Sequence, residues 1–315
     1  MFETPLTLTD GILSGPLRAP RQMLADQAYD GHTSIHDDAM AEKLGFRAGP
    51  IEGPTHFSQF EPLMARIFGQ AWFERGCLSV HFLNMVVEGE EVRAFARMPE
   101  DGATSVTCWA EKADGTRVLD ATATLGPDHP ETLLESRMAR LRPPGKLVIL
   151  EDLRVGMTGR DGETATMGMD DHMGDLYPFT LRGKLDAITE SMPAYSDPAA
   201  SPWGRAVIPM EMISVLAAYG SKSAGFPIKG PAIGLYADLE MRLVDGPLFV
   251  GETYAVHREV AAIAESGRTE SYWTRTTLSD PATGAAKAVV LLNHAVLKAS
   301  YAGYDDRRAA LEAAG

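Results

Sequence analysis

The sequence predicts an α+β protein in which one helix-and-sheet unit is made twice in tandem. In each half of the 315-residue chain, a glycine- and proline-containing turn is followed by an apolar segment with helical spacing and then by segments of alternating polarity. Glycine turns such as residues 113–116 join these segments, as in antiparallel hairpins. Gly89 and Gly251, and likewise Trp109 and Trp273, occupy matching places in the two halves at nearly equal separations. We therefore interpret the chain as a divergent tandem duplication.

The duplication predicts two domains, residues 1–126 and 147–315. The segment between them, 127–146, is rich in prolines and charges and is typical of a linker. We expect a short helix within it, over residues 131–140. Pairing the two sheets edge to edge would leave fewer open strands, so we expect one continuous body.

The composition excludes several classes of function. The chain has 43 acidic and 29 basic residues and a formal charge of −14, which disfavours binding to nucleic acid. No apolar run is long enough to cross a bilayer, so no membrane partner is expected. The first residues do not have the pattern of a secretion signal. The two cysteines, Cys77 and Cys108, suit a reducing compartment, and we expect a cytoplasmic protein.

The first predicted helix runs from Thr55 to about Phe73, because apolar residues recur there at three- and four-residue steps. Thr55 is the expected N-cap, with Pro54 just before it. The apolar stripe is wide, so we expect most of this helix to be buried against the alternating strands that follow.

The segment before this helix, residues 29–55, concentrates groups that can do chemistry. Asp30, His32 and His36 lie in a loop that leads through Gly53 to the helix. The first N–H groups of a helix have no internal partner, and a glycine lets a ligand oxygen approach them. Stabilising a developing oxyanion there is worth about 3–4 kcal/mol per donor. The acid and the histidines could move a proton or activate water.

The same segment resembles the MaoC-like, or R-specific enoyl-CoA hydratase, family. The matching residues are Ile35-His36, Asp38, Gly45-Phe46, Pro50-Ile51 and Gly53, and the second half opens with the similar Leu150–Gly156. The resemblance implies a tandem (double) hotdog fold, with two antiparallel sheets each wrapped on a long central helix. It also implies that one half keeps the catalytic loop while the other, degenerate half shapes the acyl pocket.

Two departures from the family pattern concern the acid. The family's aspartate aligns with Gly31, one residue after Asp30, and the histidine of the turn is replaced by Glu52. Either the loop contains an extra residue and Asp30 serves, or the site uses a different acid. The second half, around residues 195–205, has no corresponding histidine and is expected to be catalytically silent.

Together these features predict a hydro-lyase that hydrates a 2-enoyl-CoA or dehydrates a 3-hydroxyacyl-CoA thioester. The expected catalytic residues are Asp30 and His36, and the expected substrate-binding residues are Gly53, Thr55, His32, Trp203 and Met210. No cofactor is expected beyond the coenzyme A of the substrate. No metal is expected either, since the strand histidines lack ligand spacing. The expected partner is a small acyl thioester, with a homodimer as a candidate assembly.

Three other functions remain open from the sequence. Glu61 on the helix could be the acid of a hotdog thioesterase, although it is most simply an exposed charge. The chain could be a non-catalytic acyl-binding module. It could also be a hydro-lyase acting on a non-CoA substrate, because Arg47, Arg66 and Arg205 form no basic patch in the sequence.

Simpler structural roles compete for the same residues. His36 could be a loop histidine bonded to a backbone carbonyl, and Asp30 could be a turn residue, since Asp-Gly pairs are common in turns. Asp38 is expected to cap a short helix over residues 38–44.

Overall fold

The computed structural model describes residues 2–29 and 32–313, without the side chains of residues 29, 32 and 33. Asp30 therefore lies outside the described residues, as does the side chain of His32.

Strands contain more of the described residues than helices do, and all the strand pairings are antiparallel. In chain order they are β1 (Thr7–Thr9), β2 (Ile12–Ser14), β3 (Ala28–Tyr29), β4 (His32–Thr33), β5 (Gly76–Phe82), β6 (Val92–Arg97), β7 (Ser105–Lys112), β8 (Arg117–Leu125), β9 (Glu163–Thr166), β10 (Gly234–Leu243), β11 (Thr253–Glu265), β12 (Thr269–Ser279) and β13 (Ala286–Leu297). Eleven of them form one sheet in the order β1-β2-β6-β7-β8-β5-β10-β13-β12-β11-β9, and β3 and β4 pair separately.

The sheet consists of two blocks with the same topology. β5–β8 are ordered β6-β7-β8-β5, and β10–β13 are ordered β11-β12-β13-β10, so the blocks meet where β5 pairs with β10. Outside each block a short strand adds to the equivalent edge, β2 on β6 and β9 on β11. The predicted α+β duplication with edge-to-edge pairing is confirmed. The boundaries at 126 and 147 stay predictions, because the sheet is continuous across the two halves.

The helices are shorter than the strands they cover. They are α1 (Asp38–Lys43), α2 (Glu61–Phe68), α3 (Ala71–Arg75), α4 (Leu133–Met138), α5 (Leu181–Ala187), α6 (Met210–Ala218) and α7 (Tyr304–Ala313). Short 3-10 helices span Gly53–Phe57, Pro193–Tyr195, Pro198–Ala200, Ser221–Ala224 and Lys298–Ser300.

The single helix predicted from Thr55 to Phe73 is wrong. The segment consists of a 3-10 helix (Gly53–Phe57), α2 and α3. Gly69 lies between α2 and α3 with a positive φ of 63°, which ends α2 because other residues rarely adopt that conformation. Thr55 lies inside the 3-10 helix, so it is not an N-cap. In the second half α6 has nine residues, so the described residues of neither half form a long central helix.

The segment between the halves is packed rather than extended. The helix predicted over 131–140 is confirmed as α4, which begins with a capping box formed by Thr132 and Glu135. Leu134 is fully buried, and its N–H donates to Ser79 Oγ on β5 (3.0 Å). Thr132 Oγ1 donates to Glu240 on β10 (2.6 Å). The start of α4 is therefore bonded to both strands of the seam, the β5–β10 pairing at which the two blocks meet.

A buried carboxylate reinforces the same seam. Asp238 on β10 contacts His81 Nδ1 on β5 (2.7 Å) and accepts hydrogen bonds from Arg137 Nε on α4 (3.0 Å) and Asn293 Nδ2 on β13 (2.6 Å). The largest core cluster is shared by both halves, from Leu13 to Leu292. No helix in the described ranges combines the length and apolar character that membrane crossing requires.

Candidate active site

A cavity of about 570 Å³ lies between the two halves. The first half contributes His36 and the turn at residues 50–53 to its wall, and the second half contributes α6, the loop after it and the inner faces of β10, β12 and β13. The cavity therefore joins the predicted catalytic segment to the predicted acyl-binding half.

His36 is held in one orientation at the cavity wall. Its Nδ1 lies 2.7 Å from the carbonyl oxygen of Pro50, which also accepts a hydrogen bond from Gln22 Nε2 (2.6 Å). Because a carbonyl can only accept, Nδ1 carries the proton and Nε2 of the neutral ring is left as an acceptor. Burial lowers the pKa of His36 below its usual value, which favours the neutral ring. A hydrogen bond to a backbone carbonyl is what we expect of a structural loop histidine. Here the same bond also leaves Nε2 of His36 able to act as a base.

The loop after His36 is closed by Asp38, though not by the predicted cap. Asp37 is the N-cap of α1, and its side chain accepts from Met40 N (2.8 Å). Asp38 Oδ1 instead accepts from Gly49 N (2.8 Å). A Cβ at Gly49 would lie 2.1 Å from the His36 carbonyl oxygen, so only glycine allows this close approach. The prediction that Asp38 caps the helix is wrong by one residue. Asp38 instead connects the two ends of the loop through its hydrogen bond with Gly49.

Gly53 lines the cavity at the start of the 3-10 helix. Within the described part of the chain, its N–H donates to no acceptor. A Cβ there would lie 2.8 Å from the ring of Phe82, another wall residue, so the backbone is accessible only because residue 53 has no side chain. The contribution expected from a long helix dipole is wrong, because this helix has five residues. The contribution that remains, as far as the described residues show, is the backbone N–H of Gly53 at the cavity wall.

A buried charge network lies beneath the turn. Lys184 of α5 donates to Thr55 Oγ1 (2.8 Å) and lies 3.5 Å from Glu52 Oε2 and 3.7 Å from Glu211 Oε1 of α6. Burial raises the pKa of Glu52, and it raises that of Glu211 to about 7. Burial alone would lower the pKa of Lys184, but Glu211 and Glu52 raise it. Thr55, predicted to bind substrate, is instead an acceptor in this network, and Glu52 reaches the cavity wall.

Glu61 is fully enclosed in the core, so the expectation of an exposed charge is wrong. It is 2% exposed, and Oε2 accepts hydrogen bonds from Tyr195 Oη (2.9 Å) and Met210 N (3.3 Å). Burial raises its pKa to about 8. Glu61 is not among the described residues that line the cavity, which removes the geometric basis for a thioesterase acid at this position.

The structure does not bring Trp203 or Met210 to the cavity wall that it describes. Trp203 packs edge-on against Phe73 with ring centroids 5.8 Å apart, and its Nε1 lies 3.3 Å from Glu74 Oε1. Met210 is buried at the start of α6. The second half instead contributes Ser214, Ala217 and Ala218 of α6 to the wall.

Other wall residues have no signal in the sequence. The cations on the wall are Lys222, Lys229 and Arg258, and none of the three arginines considered from the sequence lies there. They come from the loop after α6 and from β11, far along the chain from the motif. Within the described ranges, no three His, Cys, Asp or Glu side chains are grouped so that they could hold a metal ion.

Comparison with known proteins identifies the fold. No protein-family model matches the sequence, and no curated protein sequence matches it either. A MaoC domain protein dehydratase from Chloroflexus aurantiacus has a similar structure, with a TM-score of 0.54 and 16% identity over 94% of this chain and 95% of that chain. The dehydratase domain of PpsC from Mycobacterium tuberculosis, solved with C12:1-CoA, gives a TM-score of 0.49 and 13% identity over 93% and 97% of the two chains. The similarity to the Chloroflexus protein shows that the chain has the fold of MaoC-like dehydratases, as the resemblance implied.

Proposed function

We propose that the protein is a hydro-lyase that adds water to a 2-enoyl thioester or removes it from a 3-hydroxyacyl thioester. The observation that carries this proposal is the shared position of His36 and Gly53. Among the described residues, neither the Nε2 of His36 nor the N–H of Gly53 has a hydrogen-bond partner, and both residues line one cavity next to the Pro50 turn.

In the hydration direction, the thioester carbonyl oxygen accepts a hydrogen bond from the Gly53 N–H. His36 Nε2 takes a proton from water as the hydroxyl adds to C3, and the negative charge moves to the carbonyl oxygen. Asp30, the proposed acid, delivers a proton to C2. Proton transfer from His36 to Asp30 then restores both groups, so the net change is the addition of one water. Dehydration follows the same steps in reverse.

The second half would receive the acyl group in this proposal. The wall formed by α6, β12 and β13 continues from the turn at residues 50–53 into the second half. Lys222 and Lys229, in the loop after α6, are the proposed contacts for the coenzyme A phosphates. The homodimer and the cytoplasmic location stay predictions.

The decisive test is His36→Ala, assayed by the loss of enone absorbance on short and medium enoyl-CoAs. We expect kcat/KM to fall by about 10²–10⁴-fold, which is the usual contribution of a general base. His257→Ala is the matched control, because His257 is an exposed strand histidine. Equal activity of the two variants would contradict the assignment of His36. Asp30→Asn should cause a loss comparable to that of His36→Ala.

The pH profile gives an independent test of the same group. Burial lowers the pKa of His36, so the neutral, active form persists below the pH at which an ordinary histidine is protonated. We expect kcat/KM to stay level down to pH 6.5 and to decline only below it.

A hydro-lyase acting on a thioester without coenzyme A is the second candidate. It is favoured by the pairing of the wall cations: Lys229 binds Glu151, and Arg258 binds Glu163. Comparing one enoyl-CoA with the N-acetylcysteamine thioester of the same acid separates the two candidates. A much lower KM for the CoA ester supports the first, and equal values support the second.

A further inference from the structure

Polar side chains form part of the cavity wall in the second half. Tyr272, Thr274 and Thr276 alternate along β12 and so present the same face to the cavity. His294 on β13 lies in register with Tyr272 and lines the same wall. This is the place where the acyl group of the proposed substrate would lie.

The contacts that hold His294 involve the face of its ring and one of its two ring nitrogens. Its ring stacks on Tyr272, with centroids 4.5 Å apart and planes 8° from parallel, and Nε2 lies 3.1 Å from Thr274 Oγ1. Within the described part of the chain, Nδ1 has no hydrogen-bond partner. Burial lowers the pKa of His294 to about 4, so the ring is neutral near pH 7 and can bond a ligand without carrying charge.

Arg258 is the cation that β11 contributes to the same wall, and its charge is already paired. The Arg258 guanidinium pairs with Glu163 and also donates to the carbonyl oxygens of Ala217 (2.8 Å) and Tyr219 (2.6 Å). These bonds leave it committed to the end of α6. A carboxylate placed beside Arg258 would therefore lose water without gaining an unpaired cation in return.

A plain alkyl chain is an equally poor match. It would cover His294 Nδ1 while offering it no partner, since only Nε2 is bonded to Thr274, and a buried polar atom without a partner is costly. The neighbouring residues Val290 and Leu292, together with Ala217 and Ala218, provide the apolar surface for the carbon skeleton around this polar point.

We propose that the acyl group carries a neutral hydrogen-bonding oxygen, a hydroxyl or a keto group, bound by His294 and Thr274. The substrate class is then an oxygenated acyl thioester rather than a plain alkyl or a dicarboxylic one. This inference rests on the proposed function for the reaction, but the binding preference can be measured without turnover.

The binding test uses three saturated acyl-CoAs of equal chain length, which the enzyme cannot hydrate. One ends in a methyl, one in a hydroxyl and one in a carboxylate. Calorimetry on the full chain should show the hydroxyacyl-CoA binding about tenfold more tightly than the other two, as expected for a gained hydrogen bond. Equal binding of the methyl and hydroxyl forms, tightest binding of the carboxylate form, or binding of none would overturn the inference.

Variants then assign the preference to residues. His294→Phe keeps the stacked ring and Thr274→Val keeps the shape, and each should abolish the tenfold preference without weakening the methyl form. Thr277→Val is the control, since Thr277 is on β12 but not on the cavity wall. Thermal melting checks that each variant folds, and Thr274→Val still decides if His294→Phe does not. A preference that survives in Thr274→Val would contradict the assignment.

The two proposals can fail separately. If the hydroxyacyl preference holds but no enoyl-CoA is hydrated, the proposed reaction is wrong and the subsite stands. If enoyl-CoAs are hydrated with no preference for an oxygenated chain in binding or in kcat/KM, the subsite is wrong and the reaction stands.

Discussion

Gly53 in the first half and Met210 in the second occupy the same place in the duplicated fold. Ile51 N donates to Val86 O (2.7 Å), and Ile208 N donates to Leu248 O (2.9 Å). Gly53 and Met210 each lie two residues after the residue that donates this hydrogen bond. Gly53 is the first residue of the 3-10 helix Gly53–Phe57, and Met210 is the first residue of α6.

The two places differ in what faces the backbone N–H. The Met210 N–H donates to Glu61, a carboxylate from the first half, which Tyr195 holds in position. The Gly53 N–H faces the cavity without a partner in the described chain. The duplication thus made two equivalent donors, and a side chain from the first half has filled one of them. Only the other remains for a substrate.

Replacing Lys184, which lies between these two places, should have the largest effect. Lys184→Met would leave Glu52 and Glu211 buried beside each other without their cation, which costs about 3–5 kcal/mol of the free energy of unfolding. Denaturant unfolding measures the loss. Lys287→Met is the control: Lys287 pairs with the exposed Asp245, and such surface pairs are worth about 1 kcal/mol or less. Equal losses in the two variants would mean that the network does not support the turn.

Replacing the residue at each of the two equivalent positions by alanine tests the comparison directly. Gly53→Ala brings a Cβ to 2.8 Å from the Phe82 ring and crowds the donor, so kcat/KM should fall by about 10–100-fold, which corresponds to about 1.4–2.7 kcal/mol. Met210→Ala should lower stability instead, since it deletes a buried side chain. Steady-state kinetics and thermal melting on both variants separate the effects. The comparison breaks if Met210→Ala loses as much kcat/KM as Gly53→Ala in well-folded protein.

An effect that is smaller per unit of pH should appear in the pH dependence of stability. Burial raises the pKa of Glu61 from 4.5 to about 8, so the folded state binds a proton that the unfolded state releases. The free energy of unfolding therefore falls as pH rises between these values, by up to about 1.4 kcal/mol per pH unit from this group. Glu61→Gln should flatten this slope in denaturant unfolding at pH 5, 6.5 and 8 while leaving hydration unchanged. An unaltered slope would show that Glu61 is already ionised in the folded protein.

The sequence was sufficient for the overall fold because its signals there are local and periodic. Alternating strands, glycine turns and the paired anchors predict the antiparallel blocks, and the motif around His36 and Gly53 predicts two residues that the structure places on one cavity wall. The lengths of the helices could not be predicted correctly from the sequence. Apolar spacing continues through Gly69, and only the backbone conformation there reveals the break.

The remaining parts of the site depend on residues distant in the chain. Lys184 reaches Thr55 from α5, and His294 joins the wall from β13, with neither in a motif. Trp203 and Met210 were expected at the pocket, but the second half contributes Ser214 and Ala217 of α6 to the wall instead. A residue's position near a helix start does not determine which side of the helix it occupies.

The placement of α4 has a consequence for the order in which the protein is made. Chains fold from the amino terminus during synthesis, and α4 follows β8 directly. α4 can therefore dock on β5 through Leu134 and Ser79 before β10 has left the ribosome. It then presents Thr132 and Arg137, the groups that later receive Glu240 and Asp238 of β10. The part of the chain that is made first thus already contains the groups to which β10 of the second half binds.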